Sequence, residues 1–214
     1  RAALVARALR RGLVGATAVI AAVAGLSAAP ALAQSPDTLG RIRAAGQINV
    51  AFSGDSLPFS YVAAGKEAAG YSIDLCKRVI AHLGRATGVA DLKVRWIVGG
   101  AADRVAMVAA GKADIDCANT TATQTRMKVV DFSNLVFVDA GGFAVKVDGG
   151  IARFGDLAGK RVGVLEGTTT EKRLDAVIKE KALDIKVRRL KDGNEGIALL
   201  DSGGLDAFAS DKLK

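Results

Sequence analysis

AMVAAGKAD at residues 106–114 and ALLDSGGLD at residues 198–206 follow one pattern. Each is the end of an apolar helical segment, then a glycine stop, then an aspartate (Asp114 or Asp206) that opens a short apolar run. Glycine ends a helix because it takes left-handed backbone angles without a steric penalty. Five residues beyond each aspartate stands a polar side chain, Asn119 in the first copy and Asp211 in the second. A second echo pairs AGQINV at 45–50 with AGKRVG at 158–163. Repetition on this scale predicts two similar lobes, 34–140 and 141–214.

The segments around the repeats alternate between strand and helix patterns. Ile48–Phe52, Val94–Val98, Ile115–Ala118, Leu135–Val138, Phe143–Val147, Lys160–Leu165, Ile185–Leu190 and Ala207–Ala209 read as strands. Asp74–Arg85, Asp103–Ala110, Thr170–Lys181 and Glu195–Ser202 place apolar residues at helical spacing. Strands alternating with helices predict an α/β protein whose lobes are mostly parallel sheets flanked by helices. Ligands of such sheets bind off the carboxyl ends of the strands. Asn119 and Asp211 both follow a strand, so two facing lobes would bring them to one cleft.

The first 33 residues do not read as part of this fold. Arg1, Arg7, Arg10 and Arg11 form a basic head, Gly12–Leu26 is uncharged and mostly apolar, and Ala31-Leu32-Ala33 offers small residues for cleavage. That is the plan of a secretory signal peptide, and it predicts an exported, periplasmic chain. Removing these four of the 30 basic residues leaves 26 against 22 acidic ones, well mixed along the chain. Such a balance gives no footprint for nucleic acid. The lone histidine, His82, is too few for a typical zinc site, so neither metal nor cofactor is expected. Cys76 and Cys117 would either form one disulfide in an oxidising compartment or sit as two buried small hydrophobes.

Chemistry concentrates in three places. Asn119-Thr120-Thr121-Ala122-Thr123-Gln124-Thr125-Arg126 is dense in hydroxyls and amides. Arg126 offers a planar fork that can grip a carboxylate through two parallel hydrogen bonds; the plain alternative is a capping cluster beside a surface arginine. Glu166-Gly167-Thr168-Thr169-Thr170 joins a strand to a helix, where threonine binds ligand or caps. The Gly-Lys-Ser/Thr ending of a phosphate-binding loop is missing. Asp211 is a carboxylate able to pair with an ammonium. Together, a guanidinium from one lobe and a carboxylate from the other suit the two ends of an amino-acid zwitterion.

At these residues the chain resembles the family 3 extracellular solute-binding proteins, which serve polar amino-acid ABC importers. The resemblance runs from about Asp37 to the end. It rests on Leu57-Pro58-Phe59-Ser60-Tyr61, Gly70-Tyr71-Ser72-Ile73-Asp74-Leu75, Asp116–Thr121 with Arg126, Val130-Asp131-Phe132-Ser133 and Val164–Thr169. The glutamate/aspartate-binding branch has the nearest pattern. The resemblance implies a two-lobed periplasmic-binding-protein fold of type II, an amino acid as ligand, an inner-membrane ABC permease as partner and a monomer. It assigns Arg126 to the α-carboxylate, with Thr121, Thr168 and Thr169 assisting. Asp211 and Asn119 fall to the α-amino group and Arg104 to the ligand side chain. Three positions depart from the branch. Ser53 stands in the pocket where it has an arginine, Ala101 where it has a serine, and Gly193 where it has a histidine. These departures point away from an acidic ligand toward a neutral or other polar one. The family also continues past the position of Lys214, so the second lobe is expected to lack its return segment.

Two other readings use the same scaffold. A periplasmic dehydratase-like enzyme would need a general acid or base in the cleft, for which Glu166 is the candidate. A ligand-sensing receptor domain would need a membrane segment after it. Capture without catalysis is the reading the residues favour, with a hinge expected near Asp139–Phe143, where Gly141-Gly142 can absorb backbone change.

Overall fold

The computed structural model describes residues 37–214, so the basic head, the apolar run and Ala31–Ala33 lie outside the described residues. The first half opens with helix α1 (Thr38–Ala45) and strand β1 (Gln47–Phe52). Three short strands follow, β2 (Asp55–Ser56), β3 (Ser60–Val62) and β4 (Ala68–Ala69). Helix α2 (Tyr71–Thr87), strand β5 (Lys93–Val98), helix α3 (Ala101–Ala109) and strand β6 (Ile115–Asp116) complete it. The second half runs β7 (Gly141–Val145), β8 (Arg161–Leu165), α4 (Thr169–Lys181), β9 (Lys186–Leu190), α5 (Gly193–Asp201) and β10 (Ala207–Asp211).

Each half builds its own sheet. In the first, β1 lies between β5 and β6 and runs parallel to both. In the second, the order is β7-β10-β8-β9, with β7 antiparallel to β10 and the other pairs parallel. The strands β2, β3 and β4 form a small antiparallel sheet of their own. This is the two-lobed α/β arrangement expected from the alternating pattern.

The cores are separate too. Ile42, Ile48, Val50, Phe52, Ile73, Cys76, Ile80 and Cys117 pack in the first half, whereas Leu157, Val162, Val164, Leu174, Ala207 and Ala209 pack in the second. Burying such side chains contributes about 1.5–3 kcal/mol each relative to exposure. Cys76 of α2 and Cys117, just past β6, are joined by a disulfide, which resolves the alternatives left open by the sequence. The bond ties the long helix to the strand that leads into the Asn119–Arg126 loop.

The sequence repeat has a structural counterpart. Asp114 accepts a hydrogen bond from the backbone N–H of Asn49 (2.8 Å), and its own N–H donates to the Asn49 carbonyl (2.8 Å). Asp206 makes the same exchange with Arg161, at 2.8 and 2.9 Å. Each aspartate thus pins the start of its strand to the neighbouring parallel strand. Arg161 adds an ion pair to Asp206 at 2.8 Å. The Arg161 side-chain and backbone hydrogen bonds hold the Asp206 carboxyl at about 2, below its ordinary 3.8. A depressed carboxylate contributes stability that is present above its ordinary value and is lost as pH falls through the folded one. In Arg161→Met, NMR titration of Asp206 should therefore move from about 2 toward 3.8, and acid unfolding should begin at a higher pH.

One local expectation is corrected. Leu135–Val138 is not a strand. Leu135 and Val138 are 77% and 79% exposed. The segment is held instead by the Tyr71 hydroxyl, which donates to the Val136 carbonyl at 2.8 Å, and by Phe137 packing edge-on to Phe59 and Tyr71. An apolar run gives no sign of whether a partner strand is present. Gly141 and Gly142, expected as a pivot, are the first residues of β7, in register with Asp211 and Ser210.

Candidate functional site

The carboxyl ends of the parallel strands β1, β6, β8 and β10 deliver the site. Past β1 come Ser53, Asp55 and Ser56; past β6 come Asn119, Thr121 and Arg126; past β8 comes Glu166–Thr170; and β10 ends in Asp211. Side chains after the last paired residue of a strand leave the ladder at the sheet edge, where the main chain turns away and leaves room for ligand. These segments enclose a cavity of about 460 Å³. That is enough for an amino acid, since small-molecule sites run from about 300 Å³ upward.

The two halves meet across this cavity through matched polar groups. The Asn119 amide donates to Asp211 Oδ2 at 2.9 Å, so the two residues five positions past the repeated aspartates are in direct contact. Thr170 Oγ1 donates to the other Asp211 oxygen at 3.4 Å. The hydroxyls of Thr121 and Thr169 lie 3.3 Å apart. Arg126 donates to the Thr121 carbonyl at 2.9 Å and reaches across to the Gly167 carbonyl at 3.0 Å. A further bridge joins the Gly193 N–H to Asp55 Oδ2 at 2.6 Å.

Electrostatics distinguish the two arginines. Arg104 is 3% exposed and already neutralised, pairing with Asp116 at 3.0 Å and donating to the Gly99 carbonyl and the Thr120 hydroxyl. Arg126 is half-buried and its partners are neutral carbonyls. Burial, and then the nearby Arg104 guanidinium, press its pKa down against the weaker opposing pull of Asp116. A cation destabilised in this way gains from an added anion.

All eight residues assigned to ligand binding from the sequence line this cavity: Ser53, Arg104, Asn119, Thr121, Arg126, Thr168, Thr169 and Asp211. Their local roles differ. The Thr168 hydroxyl is taken up in capping α4, accepting from the Glu171 N–H at 3.1 Å and donating to the Leu165 carbonyl at 2.7 Å. Thr169 is the threonine whose hydroxyl meets the opposite half. Ser53 is 3% exposed and bonds Asp55 and Ser56 at 2.8 and 2.7 Å. Asp55, Thr170, Lys191 and Lys214 also line the cavity and were not singled out. The position of Asp55 three residues before Pro58 is the signal that could have found it, because the strand leading there ends at the cleft.

A larger groove of about 720 Å³ adjoins the cavity, walled by Leu135, Val136, Phe137, Phe143 and Phe154. Its apolar walls suit an apolar body. The smaller cavity holds the charged groups Arg126 and Asp211.

Comparison with known proteins agrees with this geometry. The model for bacterial extracellular solute-binding proteins, family 3, matches residues 48–201. The L-glutamate/L-aspartate-binding protein of Pseudomonas aeruginosa is 35% identical over 194 residues, covering 89% of this chain and 64% of that protein. The glutamate/aspartate import solute-binding protein of Escherichia coli is 31% identical over 197 residues, covering 89% of this chain and 65% of that protein. The chain thus spans just under two thirds of the length of these relatives. Among solved structures, the ancestral amino acid-binding protein AncCDT-1, a precursor of cyclohexadienyl dehydratase, superposes with a TM-score of 0.71 at 29% identity, covering 81% of this chain and 74% of that one. The cysteine-binding protein of Campylobacter jejuni gives 0.71 at 32% identity, covering 81% and 67%. With a family match over most of the described residues, and solved structures of the same fold, the chain belongs to the bacterial extracellular solute-binding proteins, family 3.

Proposed function

We propose that this protein is the periplasmic binding component of an amino-acid ABC importer, and that it captures a polar amino acid between its two lobes. The observation that supports this best is the opposition of Arg126 and Asp211 across one polar cavity. Arg126, with Thr121 and Thr169, receives the α-carboxylate. Asp211, with Asn119 and Thr170, receives the α-ammonium. The contacts linking the halves at 2.9–3.4 Å are those a ligand would replace or reinforce. A ligand that touches both lobes only when they are together shifts the population toward closure, and the closed form is what a permease would recognise. The sequence from 34 to 140 forms one lobe and from 141 to 214 the other, with the N-terminal segment serving as an export signal.

Gly167 makes the close approach possible. It has a φ of +74°, and a Cβ there would meet the Ala102 Cβ at 2.7 Å. Gly167→Val should leave helix and strand content by circular dichroism unchanged but weaken ligand binding about ten-fold, near 1.4 kcal/mol, because the clash with Ala102 keeps the lobes apart.

A thermal-shift screen of the chain from residue 34 against the twenty amino acids tests the proposal. Ligand at about 100 times its dissociation constant stabilises by about 2.7 kcal/mol, a rise of several degrees in a domain of this size. A folded protein that none of the twenty stabilises would overturn the reading. One structural neighbour is a precursor of a dehydratase, and Glu166 lines the cavity. Turnover of a prephenate-like acid, lost in Glu166→Gln, would favour that alternative instead.

A further inference from the structure

The cavity has a second cluster of charge that the zwitterion clamp does not use. Asp55, Ser53, Ser56, Lys191 and Lys214 line the wall formed after β1 and around the start of α5. Asp55 bonds none of Arg126, Thr121, Asn119 or Asp211. Its partners are Ser53 Oγ at 2.8 Å, Ser56 Oγ at 3.4 Å and the Gly193 N–H at 2.6 Å. Two short bonds, from the Ser53 hydroxyl and the Gly193 N–H, fix the carboxylate and leave it at least one free acceptor direction, since the Ser56 proton is shared with Ser53. Burial alone would raise its pKa. The Gly193 N–H, the Lys214 charge, the Ser53 hydroxyl and Arg104 outweigh burial and hold it below its ordinary value, so it is ionised at neutral pH.

The Lys214 ammonium stands in the same cavity, within electrostatic range of Asp55 and Asp211. It makes none of the ion pairs at 4 Å or less among the described residues. Of the other cations on this wall, Arg104 already holds Asp116 and Lys191 is exposed to solvent. Once Arg126 and Asp211 are assigned to the ligand's α-groups, this wall presents one fixed acceptor, Asp55, and one part-buried free donor, Lys214, while Lys191 keeps its charge in solvent. A side-chain carboxylate would meet Asp55 as a like charge. A side-chain cation would meet Lys214. A carboxamide carries an acceptor and a donor on one carbon, so it answers both. Building on the amino-acid reading above, we infer that the captured ligand has a carboxamide side chain, of the glutamine or asparagine kind. Asp55 accepts from its NH2 group and Lys214 donates to its carbonyl. Ser53, a small buried side chain, leaves the room and supplies the hydroxyl that orients Asp55.

Calorimetric titration of the chain with glutamine, asparagine, glutamate, aspartate and arginine, repeated on Asp55→Asn and Lys214→Met, tests this. An amide ligand should bind about 100-fold more tightly than its acid counterpart, as expected for one uncompensated like-charge contact in a half-buried site. Asp55→Asn should shrink that preference about ten-fold or more, chiefly by improving glutamate or aspartate. Lys214→Met, which leaves the Asp55–Gly193 bond intact, should weaken the amide without helping the acid. Melting of each ligand-free variant shows that it is folded. Glutamate or aspartate binding best to the parent chain would overturn the carboxamide assignment and leave the amino-acid reading standing. An unchanged amide-to-acid ratio in both variants would do the same. Failure of every amino acid to bind would overturn both.

Discussion

Arg126→Ala is expected to weaken amino-acid binding by about 1,000-fold, near 4 kcal/mol, in line with losing one partner of a buried, hydrogen-bonded charge pair. The size follows from what the guanidinium does here. Its fork already spans the cleft, with one N–H on Thr121 and another on Gly167. Burial and the Arg104 charge beside it leave it short of negative charge. An α-carboxylate supplies that charge through two parallel bonds, which are about twice as strong as neutral ones. Arg126→Lys separates charge from shape. Lysine keeps the cation but loses the planar fork, so an intermediate loss of affinity is expected. Isothermal titration of the three proteins gives the series directly. Equal affinity in Arg126→Ala and the parent would remove Arg126 from the ligand.

Loss of the Cys76–Cys117 disulfide should have the largest effect on stability. The bond closes a sequence separation of 41 residues. The chain-entropy relation gives about 4 kcal/mol for a loop of that length, equivalent to roughly 10 °C in melting temperature for a domain near this size. Cys76→Ala with Cys117→Ala, or reduction of the parent, followed by urea unfolding, measures it. Function should suffer as well, because Cys117 lies two residues before Asn119. Without the cross-link, the loop carrying Asn119, Thr121 and Arg126 is left with the short strand β6, Ile115–Asp116, and side-chain bonds such as that of Arg104 to Thr120. A double alanine variant as stable as the parent would show that the core around Ile73, Ile80 and Cys117 is sufficient alone.

The fold was legible where periodicity and punctuation agree. Gly111 and Gly203 have positive φ and end their helices as the repeat implied. The aspartate that follows each glycine turned out to tie neighbouring strands together, which the repeat did not reveal. The small sheet of β2, β3 and β4 was invisible because its strands are two or three residues long, too short for an alternating pattern. Leu135–Val138 failed in the opposite sense. Its residues are strand formers, yet a strand exists only where a partner ladder is offered.

The candidate site was legible through residue type and position past a strand. Asn119 and Asp211 were paired by the repeat, and they are in contact at 2.9 Å. The Thr168 and Thr169 pair could not be divided from sequence, since both hydroxyls suit a cap. The cap bonds show that Thr168 fills that role. Asp55 was missed for a different reason. Its partners Gly193 and Lys214 are distant in sequence, and no local pattern announces a contact between lobes.

The central claim is that both ends of an amino-acid zwitterion are held, one by each lobe. The most direct measurement is calorimetric titration of one bound amino acid beside its α-carboxamide and its N-acetyl derivative. Both blocked forms should lose about 100-fold or more, since each leaves Arg126 or Asp211 without its charged partner in a half-buried site. A blocked form that binds as tightly as the free amino acid would contradict it.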